Sequence, residues 1–408
     1  MTLNSTNYAY ALKELYPDDV LKDMTYTDNP FYAMCEKDEN AGGKTITVPV
    51  IYGDSTGGSA TFSDAVANVK QHAGVEFSVT RVSDYSLAHI QRETMLASRG
   101  DPAAFAEAAE IEVDKAFNNS VRSIAKQMYQ DGHGHQAQIG SLTVANPMVI
   151  TLSDINDISN FELNMTIVAD DTETGASPRA TPAEAVVAGI DRSLGTITTA
   201  YDNSGGATNW AAADYLFRDG DESATASGLA GWIPATVTST AFFGVDRTTD
   251  SDRLGGSRIT GTGLGVEIAL LKLSSKICRE GGKPDCAFLN PVQYFELMQT
   301  LGGKVEYVEQ GVTANVFFSG VRIWGPSGPI EVYPDHNCPS QVAYVLKKSS
   351  WIVYSVDMAP HIMDIGTDQE FLRLAASDAA EIRVGAYFNL SSNEPRANGR
   401  VSLDAATF

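Results

Sequence analysis

Only four cysteines occur in 408 residues, at Cys35, Cys278, Cys286 and Cys338, and none forms a C-x-x-C pair. A disulfide framework or a thiolate zinc site is therefore not expected, and the cysteines read as reduced structural thiols. Positive charge is also scarce, with 29 Lys and Arg against 51 Asp and Glu and a net charge of −22. Such an acidic balance argues against an extensive footprint on a nucleic-acid backbone, and no basic stripe with interleaved aromatics is present. No run of eighteen apolar residues occurs, so no transmembrane helix is expected, and the opening MTLNSTNYAYALKELYPDD lacks the basic start and apolar stretch of a signal peptide. The G-x-S-x-G elbow, the H-E-x-x-H pair and the phosphate-binding P-loop are all missing.

What remains of site-like motifs is weak. Gly261-Thr262-Gly263-Leu264-Gly265 is a fragment of a dinucleotide fingerprint without a β-branched strand before it or repeated βαβ units around it. His133-Gly134-His135 offers two imidazoles, but no zinc-type spacing of Cys or carboxylates accompanies them, and the segment reads as a turn. The acidic loops Asp170-Asp171-Thr172-Glu173 and Asp219-Gly220-Asp221-Glu222 lack the distal Glu of a calcium-binding loop and read as solvated turns. No catalytic residue, cofactor or metal ligand is expected from these patterns.

The strongest positive signal is Asp101–Tyr129. Asp101 suits an N-cap and Pro102 the first helical position. Glu107, Glu110 and Glu112 lie early and Arg122 and Lys126 late, matching the helix dipole. Phe105, Val113, Phe117, Val121, Ile124 and Met128 recur mostly at steps of three and four and form one apolar stripe, the expected core face. At ~1.5 Å per residue the helix is roughly 43 Å long, a spine for other parts to lie across. Phe117 and Val121 are expected to face a sheet.

Before this helix, residues 1–37 read as an extended arm with no face large enough for its own core. Ile46, Val48, Val50 and Tyr52 alternate along one strand and Val75, Phe77 and Val79 along a second. Between them lie a soft tip with Gly53, Gly57 and Gly58 and a polar excursion at Thr61–Gln71. Two strands are marginal alone in water, so this hairpin is expected to lie on another subunit, anchored by Tyr52 and Phe62. Residues 83–99 read as a connector with a short helix near Gln91–Ser98.

After the helix, Ile139–Val144, Met148–Leu152, Phe161–Val168, Ala185–Asp191 and Thr196–Tyr201 read as short strands, a small inserted barrel or sandwich within 138–228. Residues 229–256 read as an irregular loop. Helices are expected over 264–280 and Pro291–Leu301, and strands over Ala314–Phe318, Val321–Trp324, Pro329–Tyr333, Gln341–Leu346 and Ile352–Val356. Strands over Phe371–Leu374 and Glu381–Leu390 precede a polar tail.

This α+β order of parts resembles the major capsid protein of tailed bacteriophages with the Hong Kong 97-like fold. The likeness is carried by Asp84-Tyr85, Arg92-Glu93-Thr94-Met95, Ala97-Ser98-Arg99-Gly100-Asp101, the long helix, Tyr129-Gln130-Asp131-Gly132-His133-Gly134, and Gly231-Trp232-Ile233-Pro234 with the loop after it. The resemblance implies an N-terminal arm at 1–37, an extended loop at 38–90 and a peripheral domain with its spine helix at 91–137. It further implies an inserted β-domain at 138–228, a peripheral loop at 229–261, an axial domain at 262–349, and peripheral return strands and tail at 350–408. It implies a non-enzymatic shell protein that assembles with itself as hexamers and pentamers around double-stranded DNA, without sequence-specific binding or a membrane. Its expected partners are a portal, a separate scaffolding protein and a decoration protein, and its location is the virion, after assembly in the host bacterial cytoplasm. The tip Gly53–Ala60 has no lysine, so no covalent cross-link is expected there. The alternatives are an encapsulin-like nanocompartment shell and a soluble calcium-dependent or hydrolytic enzyme using the acidic loops.

Overall fold

The computed structural model describes residues 29–91, 102–143, 147–201, 208–301, 306–308, 320–363, 372–373 and 379–405. The expected helix near Gln91–Ser98 and the strand at Ala314–Phe318 lie outside these residues, except for Gln91, as do Asp101, the side chain of Phe105 and residues 1–28 of the expected arm.

Two large sheets, a closed barrel and a hairpin organise the described residues. The first sheet is organised on the long strand Ala379–Ser392, which pairs along one edge with Val82–Gln91 and elsewhere with Trp351–Ser355, His361–Ile362 and Leu372–Arg373. Glu36–Asp38 extends it in parallel beside Trp351–Ser355. The helix Pro102–Gln127 lies across this sheet. Ala116 and the half-buried Phe117 meet Ala88 and Val384 there. Further along, Ile124 and Met128 turn into the main core, Val121 is buried and Val113 is half-buried. Polar groups pin the helix as well: Asn119 donates to Ser86 Oγ at 3.0 Å and Ser123 to Asp84 Oδ1 at 3.1 Å.

Residues 82–91 are thus a sheet strand, not part of an extended loop or a connector. Their alternation buries Asp84, Ser86 and Ala88 beneath the helix and leaves Tyr85 and Leu87 outside. The end of the expected arm is also core. Pro30–Met34 is a short helix whose Phe31 and Tyr32 are buried, and Phe31 packs at 5.3–6.1 Å against Tyr129, Phe288 and Trp351.

The second sheet has seven strands in the order Ser257–Thr260, Gly399–Ser402, Val342–Leu346, Cys286–Leu289, Gly328–Pro334, Gly320–Gly325 and Glu306–Val308. Helices Val266–Arg279 and Pro291–Leu301 pack on it through Leu270, Leu273, Ile277 and Leu297. The unit extends beyond 262–349, because strands from both flanks complete the sheet. Gly399–Ser402, read as polar tail, is buried between two strands.

Six antiparallel strands close the barrel: His135–Thr143, Val149–Leu152, Thr196–Thr199, Ala185–Asp191, Thr166–Asp170 and Tyr215–Arg218. Its interior is filled by side chains including Ile139, Ile150, Phe161, Ile167, Val187, Trp210 and Leu216. The closing strand Tyr215–Arg218 pairs with the first strand and with Thr166–Asp170. It lies in a stretch that carried no strand signal. Phe161 falls before its expected strand, which runs Thr166–Asp170.

The chain leaves and returns to the helix end at one place. Leu229 N–H donates to Met128 O at 2.8 Å and Ala226 N–H to Gln127 Oε1 at 3.0 Å. Gly228 is required there, because a Cβ would fall inside contact distance of the carbonyl oxygens of Gln127 and Met128. Gly228→Ala is expected to cost about 1–3 kcal/mol through overpacking, read as a lower urea midpoint; an unchanged midpoint would mean that this crossing is loose. Because the two connections touch, replacing His135–Arg218 by a short glycine linker is expected to leave a remainder that still unfolds cooperatively on heating. Loss of the cooperative transition would show that the barrel is part of the body's core.

Residues 229–256 are ordered rather than irregular: Leu229–Trp232, Arg247–Asp250 and Ser251–Gly255 are short helices, the latter two capped by Asp246 and Asp250. All four cysteines are free; Cys35, Cys286 and Cys338 are buried. Burial pushes the Cys35 thiol up to about 12, consistent with structural use.

Candidate assembly surfaces

The hairpin joins Thr45–Gly53 to Ala73–Thr80, with Ile46 opposite Val79, Val48 opposite Phe77 and Val50 opposite Val75. This register gathers the apolar residues on one face, and that face meets its own chain. Val48, Val50, Phe77 and Val79 are buried in the main core, and Ile46, Tyr52 and Val75 pack against it. The cover is an aromatic cluster from the 229–256 segment. Phe77 lies 5.1 Å from Trp232, which in turn lies 5.2 Å from Phe242 and 5.8 Å from Phe243. Ser78 N–H donates to Phe243 O at 2.9 Å, and Arg253 donates to Tyr52 O at 2.6 Å. The expectation that these seven residues face another subunit is corrected for this face, and Tyr52 anchors the hairpin to its own body. Sequence alternation reveals that a face is apolar, not what covers it.

The hairpin tip differs. Phe62–Ala67 is a two-turn-scale helix with no buried residue. Phe62 and Val66, four apart on one face of this helix, and Val69, just beyond its end, are 86 %, 58 % and 64 % exposed. Ile51 adds an exposed side chain on the strand face opposite Val50. Gly53 and Gly57 lie where the tip begins; Gly57 approaches Val69, and Gly58 stands in open space.

A second apolar surface lies on the first sheet, on the side away from the helix. Tyr85, Leu87 and Tyr387 are exposed there. The two tyrosine rings meet edge-on at 6.0 Å with their hydroxyls 3.2 Å apart. Neither surface has a partner within the described residues that would explain its apolar character; exposed clusters of this kind mark interaction sites.

The third region is a polar cleft of roughly 490 Å³ between the helix, the barrel and residues 336–337. Its groups are largely paired. Arg122 bonds Glu162 and Ser159 O, and Lys126 bonds Gln136; in the adjoining cleft, which Asp157 also lines, Ser340 bonds Asp154. Arg218 reaches Asp84 at 3.0 Å and Asp221 at 2.7 Å. Burial, reinforced by Asp154, pushes the Asp157 carboxyl up to about 7, while burial lowers Lys126. No nucleophile is aligned with a base among these contacts, and the region reads as the joint on which the barrel sits. Neither acidic loop stands open as a calcium site: Asp170 accepts from Thr172 and Ser177 N–H at 2.7 Å, and Asp221 is held by Arg218. Gly261 to Gly265 lead into helix Val266–Arg279 from a strand edge, with Gly261 tight against Ser402 and Val401.

No protein-family model and no curated protein matches this chain. Solved structures do. The chain is similar to the "Cyanophage A-1(L) capsid asymmetric unit", with 11 % identity, 97 % of this chain and 95 % of that one covered, and a TM-score of 0.54. It is also similar to the capsid of the native GTA particle, with 7 % identity, 97 % and 93 % covered, and a TM-score of 0.49. A third likeness is the holo-SrpI encapsulin complex from Synechococcus elongatus, with 8 % identity, 100 % and 98 % covered, and a TM-score of 0.45. The first of these shows the fold: this chain is folded as a phage capsid protein is. No helix among the described residues is long and apolar enough to cross a membrane.

Proposed function

We propose that this chain is the major capsid protein of a tailed bacteriophage, assembling as hexamers and pentamers into an icosahedral shell around double-stranded DNA. The observation that carries the reading is the similarity of almost the whole chain to a cyanophage capsid subunit. The surfaces support it. Each subunit offers an exposed apolar tip and an exposed apolar sheet face, and we assign the tip of one copy, with Phe62, Val66 and Val69, to the Tyr85–Leu87–Tyr387 face of the next. The hairpin strands, fixed to their own body by Trp232, then act as a boom that carries the tip outward. Gly53, Gly57 and Gly58 would let the tip bend as the shell expands.

In this reading the long helix is the spine of a peripheral domain, the seven-stranded unit is the axial domain and the barrel is an insertion. The role is structural, not catalytic. A portal, a separate scaffolding protein and a decoration protein are the expected partners, and assembly takes place in the host bacterial cytoplasm. A net charge of −22 would keep packaged DNA from adhering if the acid lines the interior. The test is the content of particles purified from producing cells. Genome-length double-stranded DNA is expected; a protein cargo without DNA would move the chain to the nanocompartment shells.

A further inference from the structure

We infer that Asp131, His135 and Glu173 form a binding site for a divalent first-row transition metal, with Zn²⁺ as the reference ion, at the foot of the barrel. Their ligand atoms lie within 4.8 Å of one another. They come from three places: Asp131 from the turn that ends the long helix, His135 from the start of the first barrel strand, and Glu173 from the loop after Thr166–Asp170. The trio is not the His133–His135 pair that the sequence offers. His133 uses its backbone instead, donating its N–H to Asp131 Oδ1 at 2.9 Å and accepting from Ser223 N–H at 2.9 Å.

The observation that points to a ligand is His135 Nδ1. This atom is shielded from solvent, although the side chain as a whole is 28 % exposed, and it has no hydrogen-bond partner among the described residues. Asp131 Oδ1 stands 4.0 Å from it, too far for a hydrogen bond. A Zn²⁺ ion bonds imidazole nitrogen and carboxylate oxygen at ~2.0–2.2 Å, so an ion between the two would satisfy both with only a small movement of the side chains. A ring nitrogen shielded from water without a partner otherwise costs free energy.

The surroundings hold the His135 ring and the Asp131 carboxylate in place. Tyr215 stands edge-on to the ring at 5.7 Å and fixes its plane, and the His133 N–H orients the Asp131 carboxylate. One nitrogen and two carboxylate oxygens suit Zn²⁺ or Mn²⁺ better than the all-oxygen ions. With three protein ligands, water would complete the coordination. The bound ion would tie the barrel's first strand and a barrel loop to the end of the long helix, fixing how the barrel stands on the body.

The test uses the full chain, stripped with chelator and dialysed. Titration with ZnCl₂ is expected to show one ion per chain by calorimetry and a rise in the thermal unfolding midpoint. Co²⁺ should give ligand-field absorption without a thiolate charge-transfer band, including in Cys278→Ser, which removes the least buried thiol. Glu173→Gln, at an exposed position, should fold normally and weaken Zn²⁺ by at least about tenfold, His135→Gln should abolish binding, and His133→Ala should leave it. Absence of heat and midpoint shift in the unsubstituted chain would overturn the inference. So would undiminished binding in Glu173→Gln, a result that remains readable even if His135→Gln fails to fold.

Discussion

Trp232→Ala is expected to remove most of the native protein. Trp232 is fully buried and is the point where the hairpin, the 229–256 segment and the first sheet meet. Its indole touches Phe77, Phe242, Phe243 and, at 6.5 Å, Trp351. Its Nε1–H donates to Leu390 O at 2.9 Å, in the central strand of the sheet. Truncation of a buried Trp costs about 3–5 kcal/mol through lost contacts and the cavity left behind. Orphaning the Leu390 carbonyl adds about 1–3 kcal/mol. Against a typical total of ~5–15 kcal/mol, that is enough to empty the soluble fraction. Trp232→Phe keeps much of the volume and loses the hydrogen bond, so it should fall between the two in urea midpoint. A Trp232→Ala protein with the parent's midpoint would show that the hairpin is not seated on this residue.

The second large effect separates folding from assembly. Phe62→Asp combined with Val66→Asp places two charges on the exposed face of the tip helix. Exposed substitutions of this kind usually shift stability by no more than about 0.5 kcal/mol, so the urea midpoint should hold. Closed particles should be lost, because the tip would present carboxylates to the apolar Tyr85–Leu87–Tyr387 face of a neighbour. Leu87→Asp, on the receiving side, should give the same phenotype. Normal particles from both variants would refute the assigned contact; a fall in stability equal to the loss of assembly would mean that the tip belongs to its own subunit's core.

Trp232 and Phe62 also mark what a linear reading reaches. The long helix was legible because its apolar stripe repeats over many turns, and the hairpin because period-two alternation fixes its register. Most barrel strands carried the same alternation between turn residues. Trp232 was not legible as a hub, since one tryptophan in a segment with Gly and Pro has no period to betray its burial. Tyr215–Arg218 and Gly399–Ser402 sit in polar stretches without sustained alternation, and are strands because partners on both sides satisfy their backbones. The covering of the hairpin face failed for a related reason: the aromatic cluster comes from far along the chain, and nothing local announces it. Phe62 reads from the sequence as an anchor, and the structure leaves it bare at the tip. Glu173 reaches Asp131 and His135 only because the barrel closes. Spacing rules tuned to short metal motifs pass over such a trio.

Self-assembly is the central claim, and electron microscopy of the purified full-length chain tests it most directly. Closed icosahedral particles with five-fold and six-fold capsomers are the predicted result. A chain that stays monomeric at high concentration, across salt and pH and with a scaffolding protein supplied, would contradict it.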